Sequence, residues 1–509
     1  MGAAFVFATG IYGTAAGAAY AILRHRGFSE LGIADFVLPS RWENITVAKG
    51  NRHIATASAL SRSGRLREAL IFARHGVARA PRHREGRLLL ADLLAKARRL
   101  EAAEQTLVAG LSFHHDDPRY VQRLFEFLLK TQADARVVQL AREHLARGSL
   151  SPHIARLSAL AGATASHLRD NYDDAEDLLR TVPDLLVSRE GRLLAAQINW
   201  SRGLRELALI QLRSLGATFP ADAEIHRELI SRLRQEDRLD EARRTCLTFQ
   251  LAHPELAGPR IELARAYREL GDTQGFEREI ATLLRDFHSD GPALLAAADL
   301  AAEKGDVALA QRLLQHARVQ GLPEMPHLLL VTEAMLAARD YAGALNVLDS
   351  LPPTTVGAEN PHQAIQTGLR AVATFGAGDV EAGQLLLSSF LHMPGLGAEH
   401  LLALANRFVA ANADEEAWRI LTHATALEPL HRAALSRLVE LDLTLNRIDD
   451  LPARLTRLLA LRQPSPEILR VARHKLGSDL FLFSADREPV LDAIQLALQR
   501  EPVASAHRS

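Results

Sequence analysis

Residues 203–220 read GLRELALIQLRSLGATFP, and residues 237–254 read DRLDEARRTCLTFQLAHP. Each stretch begins with a Gly or an Asp, has an alanine five residues later, and has a proline twelve residues after that alanine. The two alanines, Ala208 and Ala242, are 34 residues apart. A period of this length indicates a repeated unit of two short helices.

The small-residue position recurs along the chain. Within three groups the step is 34 residues: Ala69, Ala103 and Val137; then Ala208, Ala242, Phe276, Ala310 and Ala344; then Gly383, Ala417 and Leu451, with Ala175 between the first two groups. A second small position lies twelve residues earlier, at Ala57, Ala91, Ala163, Ala196, Ala264, Ala298, Ala371 and Ala405. Small side chains let two crossing helices approach closely. Because one pair cannot bury its own apolar stripe, the pattern predicts a stack of pairs.

This Ala/Ala/Pro pattern at period 34 resembles the tetratricopeptide repeat (TPR) superfamily over about residues 50–465. The resemblance implies an all-α fold, a right-handed superhelical solenoid of about twelve TPR-like helix pairs. It also implies a concave surface, lined by the first helix of each pair, that binds peptides or other proteins. We expect residues 466–500 to form capping helices and residues 501–509 to be a disordered tail.

The N-terminal segment Ala3–Leu23 has no charged residue over 21 positions, close to the length that crosses a bilayer. We predict one transmembrane helix in an anchor of residues 1–26, followed by a juxtamembrane linker of residues 27–49. A cleavable signal peptide and a buried core helix are the alternatives. The segment lacks the basic residues that precede the apolar part of a signal peptide, which favours the anchor.

The charge distribution predicts the orientation of this anchor. Arg24 and Arg26 follow the segment, and no Lys or Arg precedes it. The positive-inside rule therefore predicts a single-pass protein of the inner membrane with the repeats on the cytoplasmic side. Residues 24–150 carry 22 Lys and Arg against 13 Asp and Glu. This basic excess is suited to contact with an anionic membrane leaflet, and an ordinary solvated surface is an equal alternative. Gly13 and Gly17 form a GxxxG pair and predict a homodimer.

Composition and motifs exclude several functions. The chain has 60 Lys and Arg against 61 Asp and Glu, so we expect no nucleic-acid partner. A single cysteine, Cys246, excludes disulfide and multi-cysteine zinc frameworks and is interpreted as an inert core thiol. The sequence contains no P-loop, GxGxxG, GxSxG or HExxH motif, so we expect no catalytic site and no cofactor. The cluster from His114 to Asp117 is interpreted as a solvated turn, not a metal site.

Four arginines are the candidate partner-binding residues. They fall at related positions in the first helices of two neighbouring repeats: Arg227, Arg234, Arg265 and Arg268. If they project into the groove, they form a stripe suited to an acidic partner with carboxylate or phosphate groups. The alternative is that they pair on a solvated face with nearby acids, namely Glu228, Glu262 and Glu269.

These observations predict a membrane-anchored scaffold for protein–protein interaction that is not an enzyme. The layout is similar to that of bacterial membrane-anchored TPR adaptors of lipopolysaccharide assembly, but the cysteine-rich module of those adaptors is absent from this sequence. The main alternative is an extracytoplasmic assembly or export factor for polysaccharide, pili or secretion machinery. An enzyme with its active site in the groove and an RNA-binding repeat protein are weaker alternatives.

Overall fold

The computed structural model of the chain describes residues 2–25, 27–147, 151–351, 361–481 and 486–499; the side chains of residues 2–11, 361 and 480 lie outside this description. The described residues form helices and turns without any strand, so the predicted all-α class is confirmed. The chain divides into two units, Met1–Gly191 and Arg192–Ser509.

Unit 1 contains short helices joined by tight turns. Their bounds are α1 Gly2–His25, α2 Ala34–Val37, α3 Trp42–Arg62, α4 Leu66–Arg79, α5 Arg84–Lys96, α6 Leu100–His114, α7 Pro118–Lys130, α8 Asp134–Leu145, α9 Pro152–Leu168, α10 Tyr172–Arg180 and α11 Pro183–Val187. A short 3-10 turn, Pro39–Arg41, joins α2 to α3.

Unit 2 begins within the first turn of α12 and has the same organisation. Its helices are α12 Arg189–Ser201, α13 Arg205–Thr218, α14 Ala223–Gln235, α15 Leu239–Ala252, α16 Ala257–Glu269, α17 Thr273–Asp286, α18 Gly291–Ala302, α19 Val307–Val319, α20 Glu324–Ala337, α21 Tyr341–Asp349, α22 Pro361–Gly376, α23 Val380–Leu391, α24 Ala398–Ala410, α25 Asp414–Leu427, α26 Arg432–Thr444, α27 Leu451–Ala460, α28 Pro466–Leu476 and α29 Arg487–Gln499.

Successive helices form the predicted pairs. Helices α3 and α4 form pair 1, and over the described residues the series continues to pair 12, which is α26 and α27. Helix α11 is an extra helix between pair 4 and pair 5. The expected number of repeats, about twelve, is therefore found. Helices α28 and α29 follow pair 12, where capping helices were predicted, and they bury Leu469, Leu476 and Ile494 against it. The tail, residues 501–509, lies outside the described part of the chain.

The small residues lie where the helices of a pair meet. All eight alanines of the first position are fully buried, and the residues that replace alanine in the other pairs are buried as well: Val137, Phe276, Gly383 and Leu451. The alanines of the second position are at most 2% exposed. The prediction that these positions are buried in the stack is confirmed.

The turn inside each pair has one backbone conformation. A residue with positive φ lies five positions before the first small residue in all twelve described pairs: Gly64, Arg98, Gln132, Asp170, Gly203, Asp237, Gly271, Gly305, Arg339, Gly378, Asn412 and Asn446. The residue after it donates its backbone N–H to the carbonyl five positions earlier, as Asp340 N does to Met335 O at 2.8 Å. This left-handed cap ends the first helix and reverses the chain.

The N-terminal helix α1 packs against the rest of unit 1 through the half whose side chains are described. The Tyr12 hydroxyl donates to the Val37 carbonyl at 2.8 Å, and Ala16 is buried beside Phe28 and Phe36. In the described part of the chain, none of the helices combines the length and the apolar character that crossing a bilayer requires. The structure thus gives no support to the predicted transmembrane helix, whose side chains before Tyr12 lie outside the description, and the anchor stays a prediction.

Two further N-terminal predictions can be compared with the structure. The predicted linker of residues 27–49 includes α2, the Pro39–Arg41 turn and the start of α3, so the described part of it is largely helical. The homodimer through Gly13 and Gly17 stays a prediction: no atom lies within 4 Å of the position where a Cβ would be added at either glycine.

Candidate partner-binding face

The first helices of neighbouring pairs in unit 2 contact one another and form one surface. We call the surface made by α16, α18, α20, α22 and α24 the first-helix face. Residues that directly follow the second small position recur on it every 34 residues, as Arg265, Asp299 and Glu333. Because the three share one register position on consecutive first helices, they align as a charged column.

Glu333 in this column is paired with Arg407 of α24. The partners belong to pairs 9 and 11, so the arginine reaches past the intervening helix α22. Both side chains are largely buried, with 19% and 26% of their surface exposed. Burial raises the pKa of Glu333, Arg407 opposes this rise, and the nearby charge of Asp299 adds to it.

Asp299 is the carboxylate of the column without a direct partner. Its side chain is exposed and makes no hydrogen bond or ion pair with other groups of the described chain. Partial burial in the face and the neighbouring Glu303 raise its pKa, and Arg265 and Arg407 oppose this rise. An ionised carboxylate in this position gains from a cation supplied by a ligand.

A cavity of about 150 Å³ opens beside the Glu333–Arg407 pair. Its remaining wall is mostly apolar and includes Ile365, Phe390, Leu396 and Ala403. An apolar cavity of roughly this volume holds a benzene-sized group. The face thus combines a slot for one apolar side chain with the unpaired carboxylate of Asp299, which interacts electrostatically with Glu333 and Arg407 in the cavity wall.

Three of the four predicted arginines form ion pairs within the chain. Arg234 pairs with Glu262 at 3.5 Å and also with Glu269, as the alternative interpretation expected. Arg268 pairs with Asp306 at 2.8 Å and donates to the Leu300 carbonyl at 2.8 Å.

The other two arginines differ in their surroundings. Arg265 pairs with Glu303, which directly follows the next first helix, α18. Arg227 is exposed and donates to the Ala223 carbonyl at 3.2 Å, while Glu228 pairs with Arg232 instead. The structure therefore brings Arg234, Arg265 and Arg268 into ion pairs, and the role of the four arginines in binding a partner stays a prediction.

The sequence analysis identified Arg265 but missed Asp299, Glu333 and Arg407. A signal was present, because the two acids lie one and two repeats after Arg265 at the same register position. Arg407 had no such signal, since it lies two residues after Ala405 and therefore at a different register position from the column. Its pairing with Glu333 depends on how α24 packs beside α20.

The residues considered above as metal ligands or as a nucleophile, in the cluster from His114 to Asp117 and at Cys246, make structural contacts within the chain. Asp117 caps α7 by accepting from the backbone N–H of Arg119 at 3.0 Å, and it pairs with Arg84 at 3.0 Å. Among the residues that the structure describes, no group of three or more His, Cys, Asp or Glu side chains is arranged to hold a metal ion. Cys246 is fully buried, and burial raises the pKa of its thiol to about 12.

The fold and this face define an α-helical repeat protein built from stacked pairs. Residues 60–124 match the family model described as tetratricopeptide repeat. This segment is a tetratricopeptide repeat region, and the helix pairs along the rest of the described chain repeat its organisation.

Comparison with known proteins adds structural likenesses. The chain is similar to the hetero-tetramer Cut9–Hcn1 of APC/C, with 14% identity, 93% of this chain and 94% of that chain covered, and a TM-score of 0.26. It is also similar to Naa15/Naa10 bound to HypK (15% identity, 98% and 79% covered, TM-score 0.30). A third is PilF of Pseudomonas aeruginosa (11% identity, 47% and 91% covered, TM-score 0.26). At these scores the likenesses carry no argument about function. A search of curated proteins found no match.

Proposed function

We propose that this protein is a membrane-attached scaffold that holds a segment of a partner protein on the first-helix face of pairs 7 to 11. The TPR fold is characteristic of protein-interaction scaffolds. The observation that supports this particular location is the apolar cavity beside Glu333 and Arg407, close to the unpaired carboxylate of Asp299. No catalytic step is proposed.

The chemistry of the face favours a partner segment with one large apolar side chain and a nearby cation. The cavity accepts the apolar side chain, and the cation reaches Asp299, whose charge lacks a direct partner in the described chain. Burial of the apolar group supplies most of the binding free energy, and the charge supplies specificity.

Labelled twelve-residue peptide pools test this proposal by fluorescence polarisation on the full chain. One pool has a fixed Phe and a fixed Arg two to four residues apart, with small polar residues elsewhere; the others carry Phe with Glu, or Ala with Arg. We expect the Phe/Arg pool to bind best. Asp299→Asn should weaken its binding about tenfold, which corresponds to about 1.4 kcal/mol.

A second variant tests the cavity itself. Ala403 is exposed and lines the cavity, so Ala403→Phe fills the slot without entering the core and should abolish binding of the Phe/Arg pool. Ala281→Phe, at an exposed position on the second helix α17, is the matched control and should bind normally. Equal binding by both variants would contradict the proposed location.

If the four predicted arginines bind the partner, the same experiment should give the opposite peptide preference. If the Phe/Glu pool binds best, and if changing Arg227, Arg234, Arg265 and Arg268 together to Glu abolishes that binding, then the partner is acidic. The arginines would then carry recognition in place of Asp299.

Membrane attachment through the Ala3–Leu23 segment is the second part of the proposal. The uncharged N-terminal segment and the basic residues that follow it support attachment, with the repeats on the cytoplasmic side of the inner membrane. A reporter fused after Ser509 tests the orientation: activity on the cytoplasmic side is expected. Periplasmic activity would instead favour an extracytoplasmic assembly or export factor.

A further inference from the structure

A short stretch of unit 1 exposes large apolar side chains beside α1. Ile33, Val37, Leu38 and Trp42 are between 38% and 55% exposed. We call these four residues the apolar ledge. Phe36, which lies between them in sequence, is only 6% exposed and packs with the described half of α1. The stretch is therefore amphipathic, with one side in the core and the other open to the surroundings.

Hydrogen bonds fix the ledge in this position. The Trp42 indole N–H donates to the Phe36 carbonyl at 3.1 Å, and the Tyr12 hydroxyl donates to the Val37 carbonyl at 2.8 Å. Asp35 is buried and accepts from the Gly32 N–H at 2.9 Å. The apolar side chains are thus held outward by a bonded backbone, and in water their exposure is unfavourable.

The space between the ledge and α1 is also apolar. A groove of about 260 Å³ is lined by side chains from both sides, among them Tyr12, Ala15, Phe36, Trp42 and Ile45. Ala15 and Tyr12 belong to the uncharged segment Ala3–Leu23, so the ledge continues the apolar surface of that segment. A partner that covers one of them also meets the other.

Basic residues outnumber acidic ones in the sequence around this apolar surface. Residues 24–52 contain five Lys and Arg against three Asp and Glu, and one of the three acids, Asp35, is buried. Arg24 and Arg41 are exposed at the end of α1 and at the start of α3. A tryptophan, aliphatic side chains and a basic rim together are the composition of surfaces that lie in the interfacial layer of a bilayer.

We propose that the apolar ledge inserts into the interfacial layer of an anionic bilayer, with Trp42 at the level of the headgroups. This inference rests on the proposed membrane attachment and names the residues that touch lipid in addition to Ala3–Leu23. Anionic headgroups would meet Arg24 and Arg41, and acyl chains would cover Val37 and Leu38.

The test uses the full chain and vesicles of phosphatidylcholine with one quarter phosphatidylglycerol. Of the three tryptophans, Trp200 is 6% exposed and Trp418 donates its N–H to Asp442 at 2.7 Å, so Trp42 is the exposed reporter. We expect a blue shift of tryptophan emission and quenching by brominated lipid, and both changes should be lost in Trp42→Phe.

A matched pair of double variants separates the ledge from general hydrophobicity. Val37→Asp with Leu38→Asp should reduce vesicle partitioning at least tenfold. Leu247→Asp with Leu251→Asp removes two leucines from an exposed surface of α15 and should leave partitioning unchanged. Equal effects of the two double variants would overturn the proposal.

Other outcomes would also overturn it. Vesicle binding without quenching of Trp42 would agree with membrane attachment but would show that the ledge does not enter the bilayer. An emission shift that depends on protein concentration and not on lipid would assign the ledge to contact with a second copy of the chain. Absence of any vesicle binding would remove both the ledge and the attachment, while peptide binding on the first-helix face would be unaffected.

Discussion

Arg407 forms an ion pair with Glu333, a residue 74 positions earlier in the chain. Since the two belong to pairs 9 and 11, their contact joins first helices that are not neighbours in sequence order. The pair also lies in the wall of the apolar cavity. The same contact therefore contributes to the packing of this region and to the shape of the proposed binding site.

This contact can be measured by a double-mutant cycle. Arg407→Met leaves Glu333 largely buried without its cation, so it should cost more stability than Arg407→Met in a Glu333→Gln background. We expect a coupling free energy of about 1–3 kcal/mol from urea unfolding. A coupling within experimental error of zero would show that solvent screens the pair.

The first small position of each pair should not tolerate a larger side chain. Ala310 in α19 is fully buried where the helices of pair 8 meet, so Ala310→Leu should destabilise the protein by about 1–3 kcal/mol. Ala308 lies in the same helix and is exposed, so Ala308→Leu is the control and should have little effect. Thermal unfolding followed by circular dichroism compares the two; similar melting temperatures would contradict the assigned packing.

The left-handed turns predict opposite effects for two substitutions, one that introduces glycine and one that removes it. Arg339 is exposed and has φ of 61°, so Arg339→Gly should stabilise the chain by about 1 kcal/mol because glycine has no Cβ to strain there. Gly378 has φ of 98° and open space at its Cβ position, so Gly378→Ala should destabilise by a similar amount through strain alone. Chemical denaturation measures both; changes of equal sign would refute the explanation.

His144 predicts a loss of stability in acid. Its side chain is 1% exposed and lies 3.2 Å from the Ser158 hydroxyl, and burial lowers its pKa to about 4. The unfolded chain, with a pKa near 6.5, binds the proton more readily. The stabilisation that the folded chain has while His144 is neutral amounts to about 3 kcal/mol. It is complete above pH 6.5 and is lost as the pH falls towards 4.

Comparison with a variant isolates this contribution. His144→Gln keeps a polar partner for Ser158 and does not titrate, so its stability should depend less steeply on pH between 6.5 and 4. The other buried histidines, such as His226 and His327, also have lowered pKa values and titrate in both proteins. Parallel pH profiles would show that His144 is protonated without cost.

Peptide binding should weaken as the pH falls. Asp299 and Glu333 have raised pKa values, so they become protonated at a higher pH than ordinary carboxyl groups and lose their attraction for a cation. We expect the affinity of the Phe/Arg pool to decline in mild acid, and that of the Phe/Glu pool, which carries no cation, not to decline. Circular dichroism at each pH checks that the chain stays folded, and a pH-independent affinity would exclude both carboxylates.

The sequence alone was sufficient to predict the helix pairs. Helix contacts leave a local signature, because Ala242 or Ala310 must be small where two axes cross, and the signature repeats with the length of the unit. The reversal of the chain has a weaker signature. Glycine marks it at Gly203, but Arg98 and Arg339 adopt the same left-handed conformation, which their residue type does not reveal.

The charged residues show the limit of this approach. Arg234 and Arg268 have the spacing of a stripe, yet their nearest charges are acids from neighbouring turns and helices. Arg407 lies at a different register position from Glu333 and still pairs with it. Long side chains adopt many conformations, so the charge that each one meets depends on how whole helices pack together.

The amino-acid sequence by itself therefore determined the period, the helix pairs and the buried small residues, since these follow from local propensity and from contacts repeated every 34 residues. Only the tertiary structure decided that Asp299 lacks a direct partner among the described residues, that a cavity opens beside Glu333, and that the described half of α1 packs on α2. Those features come from residues far apart in the chain, and their distances are set by packing, which a linear pattern does not contain.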